Sequence, residues 1–258
     1  MFAPVGLISD QSVINRTSSA DNFLIATMDH DVQERIPRRE RERLLRRQEI
    51  LQAARVVFAR KGFSAAKLED VAERAEFGKG TLYNYFTSKE ALFHSVLDDD
   101  LRQIIRIADT AFHGDAPFSD KIEMFVRGQL NYFFHNPESL YLMMRESHHL
   151  QERNPLMQLM PQLLTMISEA VAAEQGRGKL IEFAKPMELA AILTSLLLGQ
   201  FNSRVYTKIC GNHPTGSPST ERLDLNALFD TLFAKDIDAE IEAAAKLILT
   251  IYFRGITR

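Results

Sequence analysis

Lys79, Thr81, Tyr83, Asn84, Tyr85 and Lys89 stand within one short stretch of the chain. Their side chains are of the types that touch duplex nucleic acid. Ammonium groups and phenolic hydroxyls reach phosphate oxygens. Hydroxyl and carboxamide groups pair with base edges or meet the thymine methyl. Gly80 carries no Cβ and lets another backbone come close. Leu82 and Phe86 are spaced i, i+4, so on a helix over 79–86 both turn inward and leave the polar residues on the outer side and ends. Lys79 and Lys89 fall at predicted helix starts, where free amides and the dipole already favour an anion. Spacing alone fits a plain three-helix cluster with surface Lys and Tyr as well.

Other constellations are weaker. His148 and His149 are neighbours, which on a helix point about 100° apart and cannot share a metal unaided. His148 and Glu152 are spaced i, i+4, but a surface pair is the commoner meaning of that spacing. No glycine-rich phosphate loop and no His-Glu-x-x-His string occurs. Ser, His and Asp are all present, but a triad is a matter of geometry rather than of order. No catalytic residue, metal ligand or cofactor is therefore expected. Cys210 is the single cysteine, which excludes an internal disulfide and fits a reducing cytoplasm. There is no apolar run long enough to span a bilayer and no secretory leader pattern, so no membrane partner is expected.

The charge is unevenly spread. Residues 35–90 hold 14 Lys and Arg against 8 Asp and Glu, a net of +6, which leaves −9 for the remainder of a chain whose total is −3. A basic segment on an acidic body suggests a localised polyanion site, although a solvated charged helix has the same composition.

These residues need elements to position them. Residues 1–34 lack periodicity and read as a disordered arm, within which Met28 is a candidate start. Seven arginines between Arg35 and Arg47 form either a flexible arm or the exposed start of a first helix. Ile50, Ala54, Val57 and Phe58 share a helical face ending at Gly62. Leu68, Val71, Ala72 and Ala75 stripe a second, short helix, and a break at Glu76–Gly78 leads to a third over 79–86. Two short helices across such a break meet the requirement of a helix-turn-helix. Thr87 to Glu90 reads as a capping box for a long fourth helix.

The stretch Gly62–Glu90, above all Lys79-Gly80-Thr81-Leu82-Tyr83-Asn84-Tyr85-Phe86 followed by Ser88-Lys89-Glu90, resembles the DNA-binding region of the tetracycline-repressor (TetR) family. The resemblance implies a homodimer with recognition helices in successive major grooves of a near-palindromic operator. It also implies a C-terminal domain whose ligand alters DNA affinity. Three positions depart from the family pattern. Glu76 stands where the turn usually has glycine, which costs about 1 kcal/mol if its φ is positive. Ala66 replaces a capping Ser or Thr, so the cap passes to Ser64 or is lost. Gly78 replaces a Ser before the recognition helix.

The expected fold is all-α, with a helix-turn-helix domain over 35–92 joined by the fourth helix to a helical effector-binding and dimerisation domain over 93–258. Stripes and breaks place further helices to Phe133, from Leu140 to His149, from Asn154 with a kink at Pro161, from Pro186, over Leu225–Phe233 and at the C-terminus, with a loop at 210–222. Phe and Met at helical spacing pack cores in most proteins, but methionine also adapts to varied ligands. With the family in mind, Phe125, Gln129, Tyr132, Phe133, Met144, His148 and Met166 are candidate contacts for an apolar or amphipathic small-molecule effector; Arg145 and His149 are further polar candidates. The apolar helices near 186–209 and 236–254 are expected to pair two copies; burial within one chain is the alternative. The function expected is a DNA-binding regulator, in most such cases a cytoplasmic repressor. An all-helical enzyme or carrier, or an adaptor using the basic segment on another acidic surface, is the competing reading.

Overall fold

The computed structural model of the protein describes residues 37–143, 155–211 and 237–257. Its helices are, in order, α1 (Arg38–Ala65), α2 (Leu68–Arg74), α3 (Lys79–Tyr83), α4 (Lys89–Phe112), α5 (Phe118–His135), α6 (Pro137–Tyr141), α7 (Pro155–Gly176), α8 (Pro186–Gly211) and α9 (Ile237–Ile256). The only extended pairing among the described residues is an isolated antiparallel bridge between Leu180 and Thr257. The chain is all-α as expected, with an N-terminal helix-turn-helix followed by longer helices.

The chain divides into two compact units, 1–48 and 49–258. In the first, the Pro37 carbonyl accepts from the amides of Glu40 and Arg41 and opens α1. The arginines from Arg38 onward are thus the exposed start of a helix, steadied by an i, i+4 pair of Arg38 with Glu42 at 2.8 Å.

In the second unit, Ile50, Leu51, Ala54 and Phe58 of α1 are fully buried. The helix breaks at Gly62, with φ 76° and ψ 157°, a conformation open essentially to glycine alone. The break turns Phe63 back onto Phe58 and onto Phe93 of α4, with ring centroids 6.0 and 4.9 Å apart. Leu68, Val71, Ala72, Leu82 and Phe86 complete this small core.

Local details differ from the sequence reading. α3 ends at Tyr83 rather than Phe86, because the amides of Tyr85 and Phe86 both fold back to the Leu82 carbonyl at 3.0 Å. Ser88, not Thr87, caps α4: its Oγ accepts from the Ala91 amide at 3.1 Å. The start of α2 is capped neither by Ala66 nor by Ser64. Asp70 instead accepts from the Lys67 amide at 3.0 Å. α6 begins at Pro137, ahead of the expected Leu140.

Behind the head, α4 packs on α5 and α7, α5 on α9, and α8 on α7 and α9. Residue 128 is glycine where α5 crosses α4, and a Cβ there would lie 2.6 Å from Ile107 Cγ2. α7 continues through Pro161 and ends at Gly176, two residues before Gly178, whose φ is 74°. Leu189, Leu193, Leu197 and Phe201 of α8 and Ile241, Ala245, Ile248 and Tyr252 of α9 are buried within the chain. Most of the apolar stripe assigned to pairing is thus already used. A second face remains: Met187, Ile192 and Leu198 on α8 and Leu247 and Ile251 on α9 stay exposed. The expected arm 1–34, the loop beyond Gly211 and the 225–233 helix lie outside the described residues.

Candidate nucleic-acid interface and effector cavity

The turn between α2 and α3 is set by backbone hydrogen bonding. Ala75 closes α2, the Glu76 amide donates to the Glu73 carbonyl at 3.2 Å, and the Phe77 amide reaches the Ala72 carbonyl at 2.9 Å. This pair of bonds is a Schellman closure with Glu76 in the left-handed position. Glu76 has φ 57° and is the one non-glycine residue with positive φ among the described residues. Phe77 packs against the core and holds the turn down.

α3 is short and cannot stand alone. Its inner side is held by Leu82, fully buried, and by Phe86, 4% exposed. Lys79, Gly80, Tyr83 and Asn84 lie exposed on the outer side, while Thr81 and Tyr85 are half-buried. A Cβ on Gly80 would meet nothing within 4 Å. Lys79 pairs with Glu69 of α2 and lies 5.9 Å from the Tyr83 ring centroid. Its hydrogen bond is the chief cause holding the Glu69 carboxyl below its ordinary range.

Lys89 is engaged differently from the expectation. Its ammonium donates to the carbonyls of Phe63 at 2.8 Å and Ser64 at 3.2 Å, and lies 4.6 Å from the Phe63 ring centroid. It closes the end of α1. Since an ammonium has three donors, one is left for a phosphate.

Sequence reasoning missed a buried polar network that joins head to body. Arg55 of α1 is 8% exposed and Asp100 of α4 is fully buried. The guanidinium meets Asp100 Oδ1 at 2.6 Å and Asp99 Oδ2 at 3.2 Å. The Tyr132 hydroxyl of α5 donates to the same Asp100 Oδ1 at 2.8 Å. Burial pushes the Asp100 carboxyl up, while Arg55 and Tyr132 pull it back. Burial also pushes the Tyr132 hydroxyl well up, so it stays a donor. Asp100 Oδ2 is buried without a hydrogen-bond partner.

Beside this network lies a cavity of about 290 Å³, lined by Ile104, Phe125, Gln129, Phe133, Leu140, Met143, Met160, Leu163, Thr194, Leu197, Leu198 and Phe201. Of the candidate effector contacts, Phe125, Gln129 and Phe133 line it. Tyr132 does not; it turns away to Asp100. Met166 packs against the core outside the lining. Met144, Arg145, His148 and His149 lie outside the described residues. Thr194 and the leucines of α8 were missed because a helix stripe read from sequence does not say which core it faces.

A short, locked helix whose outer side is polar, set behind a two-bond turn, defines a helix-turn-helix protein. Residues 50–96 match the model of bacterial regulatory proteins of the tetR family. Over 64 residues it is 41% identical to the HTH-type transcriptional regulator YfiR of Bacillus subtilis, covering 25% of this chain and 31% of that one. Over 147 residues it is 30% identical to the HTH-type transcriptional repressor KstR of Mycolicibacterium smegmatis, covering 55% and 63%. The chain thus spans about a third of the first of these relatives and under two thirds of the second. In fold it is similar to the ketosteroid transcriptional regulator KstR2 of Mycobacterium tuberculosis, with a TM-score of 0.58 at 17% identity over 83% of this chain and 95% of that one. No helix among the described residues is long and apolar enough to cross a membrane.

Proposed function

We propose that the protein is a ligand-responsive transcriptional regulator, acting as a repressor. Two copies set their α3 helices into successive major grooves of a near-palindromic operator, and a small apolar or amphipathic molecule in the cavity releases them. The observation that carries this reading is the outer side of α3. Its polar residues face solvent while Leu82 and Phe86 fix the helix from behind. Lys79, Tyr83, Tyr85 and Lys89 are the phosphate-contacting groups; Thr81 and Asn84 face base edges, and Gly80 admits the DNA backbone. The exposed apolar faces of α8 and α9 supply the pairing surface. The similarity to KstR, a repressor by name, favours repression over activation. The cavity alone would serve a carrier equally well, and the exposed α3 side favours the regulator.

A salt-titrated mobility-shift assay with DNA from upstream of the chain's own gene tests the proposal. A regulator binds that DNA in preference to unrelated sequence, and its affinity falls steeply as salt rises. Equal affinity for all sequences rejects it.

A further inference from the structure

The cavity's polar atoms say what kind of molecule can fill it. Gln129 is 3% exposed, and its Nε2 donates to the Ile104 carbonyl at 3.1 Å. That carbonyl fixes the amide's orientation, since only the nitrogen can face it. Among the described residues, Oε1 and the second N–H of Nε2 make no further bond. Thr194 spends its hydroxyl proton on the carbonyl of Ala191 at 2.9 Å, with Ala190 at 3.3 Å, so it offers only lone pairs. Among the described residues every other one that lines the cavity is apolar, and none carries a charge. Against this described lining an anion or cation would be stripped of water without a counter-charge, a cost far above any hydrogen bond it could gain.

Size narrows the choice further. A cavity of 150 Å³ holds benzene, so one of about 290 Å³ takes roughly a dozen non-hydrogen atoms. We infer that the cavity binds an uncharged, compact hydrophobe carrying one hydroxyl, which donates to Gln129 Oε1 or to Thr194 and accepts from the free Gln129 N–H. This rests on reading the cavity as the effector site. It excludes free carboxylates and phosphorylated ligands as occupants.

Calorimetric titration of the full-length protein at neutral pH with four naphthalene probes is the test. 2-Naphthol presents the hydroxyl, 2-methoxynaphthalene an acceptor only, naphthalene no polar group, and 2-naphthoate a charge. 2-Naphthol is expected to bind roughly three- to tenfold more tightly than naphthalene or the methyl ether, and 2-naphthoate weakest of all. The Gln129→Leu variant, with its fold checked by circular dichroism, should lose most of the preference for 2-naphthol over naphthalene, keeping only what Thr194 accepts. The ranking of probes on the unaltered protein stands as a test even if that variant does not fold. The inference is overturned if 2-naphthoate binds as tightly as 2-naphthol, if the ether matches the alcohol, or if no probe binds. The mobility-shift assay contains no probe, so failure of the ligand class and failure of the regulator reading are told apart.

Discussion

At the scale of single residues, the interface is a set of small choices that act in opposite directions. Gly80 lies inside a short helix, where alanine favours helix by about 1 kcal/mol, and space around it is open. Glycine there costs stability without a packing reason inside the chain. If it is kept for DNA, Gly80→Ala raises the melting temperature while lowering operator affinity; a variant that gains both would refute the close approach. Glu69 competes with a phosphate for Lys79 and adds a negative charge at the same surface. Glu69→Gln is therefore expected to strengthen binding to all DNA sequences alike, read as a parallel shift of the salt-titration curves.

Asp70 links acidity to the head's stability. Lys61 chiefly, and then the Lys67 amide, hold its carboxyl below the ordinary range. A group with a depressed folded value contributes fully above the usual carboxylate range and loses that contribution as pH falls through the lowered value. Asp70→Asn should lower the thermal midpoint at neutral pH, and the gap should close in acid. An unchanged gap at low pH would mean that the charge is not what matters.

The α3 side chains were legible because their spacing is local and their motif dense. Glu76 was legible too, as a departure whose positive φ the turn confirms. The role of Lys89 was not, because the carbonyls it closes belong to residues 26 and 25 positions earlier. They reach it only through the break at Gly62.

At the scale of elements, periodicity predicted most helices because amphipathic stripes are properties of one helix at a time. What periodicity cannot give is which stripes meet. The Arg55–Asp100 and Tyr132–Asp100 contacts join residues 45 and 32 apart, and each residue alone reads as an ordinary polar position. The cavity was half legible for the same reason: α5 supplied Phe125, Gln129 and Phe133, while Ile104 and Thr194 come from other helices. Arg55→Ala should cost about 3–5 kcal/mol in a urea melt, because it leaves the buried Asp100 carboxyl without its counter-charge and with only the Tyr132 hydroxyl against it. A loss below 1 kcal/mol would mean that water reaches the carboxylate.

At the scale of the whole molecule, the fold class and the order of head and body were readable from sequence, since both follow from two short helices across a tight turn ahead of a series of long striped ones. The proposed pairing of copies depends on the surface left over after the core is satisfied. The stripe that suggested it is largely consumed inside the chain, and the exposed residues Met187, Ile192, Leu198, Leu247 and Ile251 lie between its positions. Met187→Glu with Ile251→Glu should shift the protein to a lower mass in sedimentation without lowering its helicity; unchanged mass would remove α8 and α9 from the interface.

Two ties bind α4 to α1: Lys89 at its first turn and the Asp99–Asp100 pair about 16 Å further along the axis. The opening half of α4 is therefore mechanically part of the helix-turn-helix piece, and the seam of the molecule runs through the middle of an unbroken helix rather than through a linker. Amide exchange should record it as a step: protons up to about Asp100 should share the protection of α1, and those from Leu101 onward that of α5 and α7.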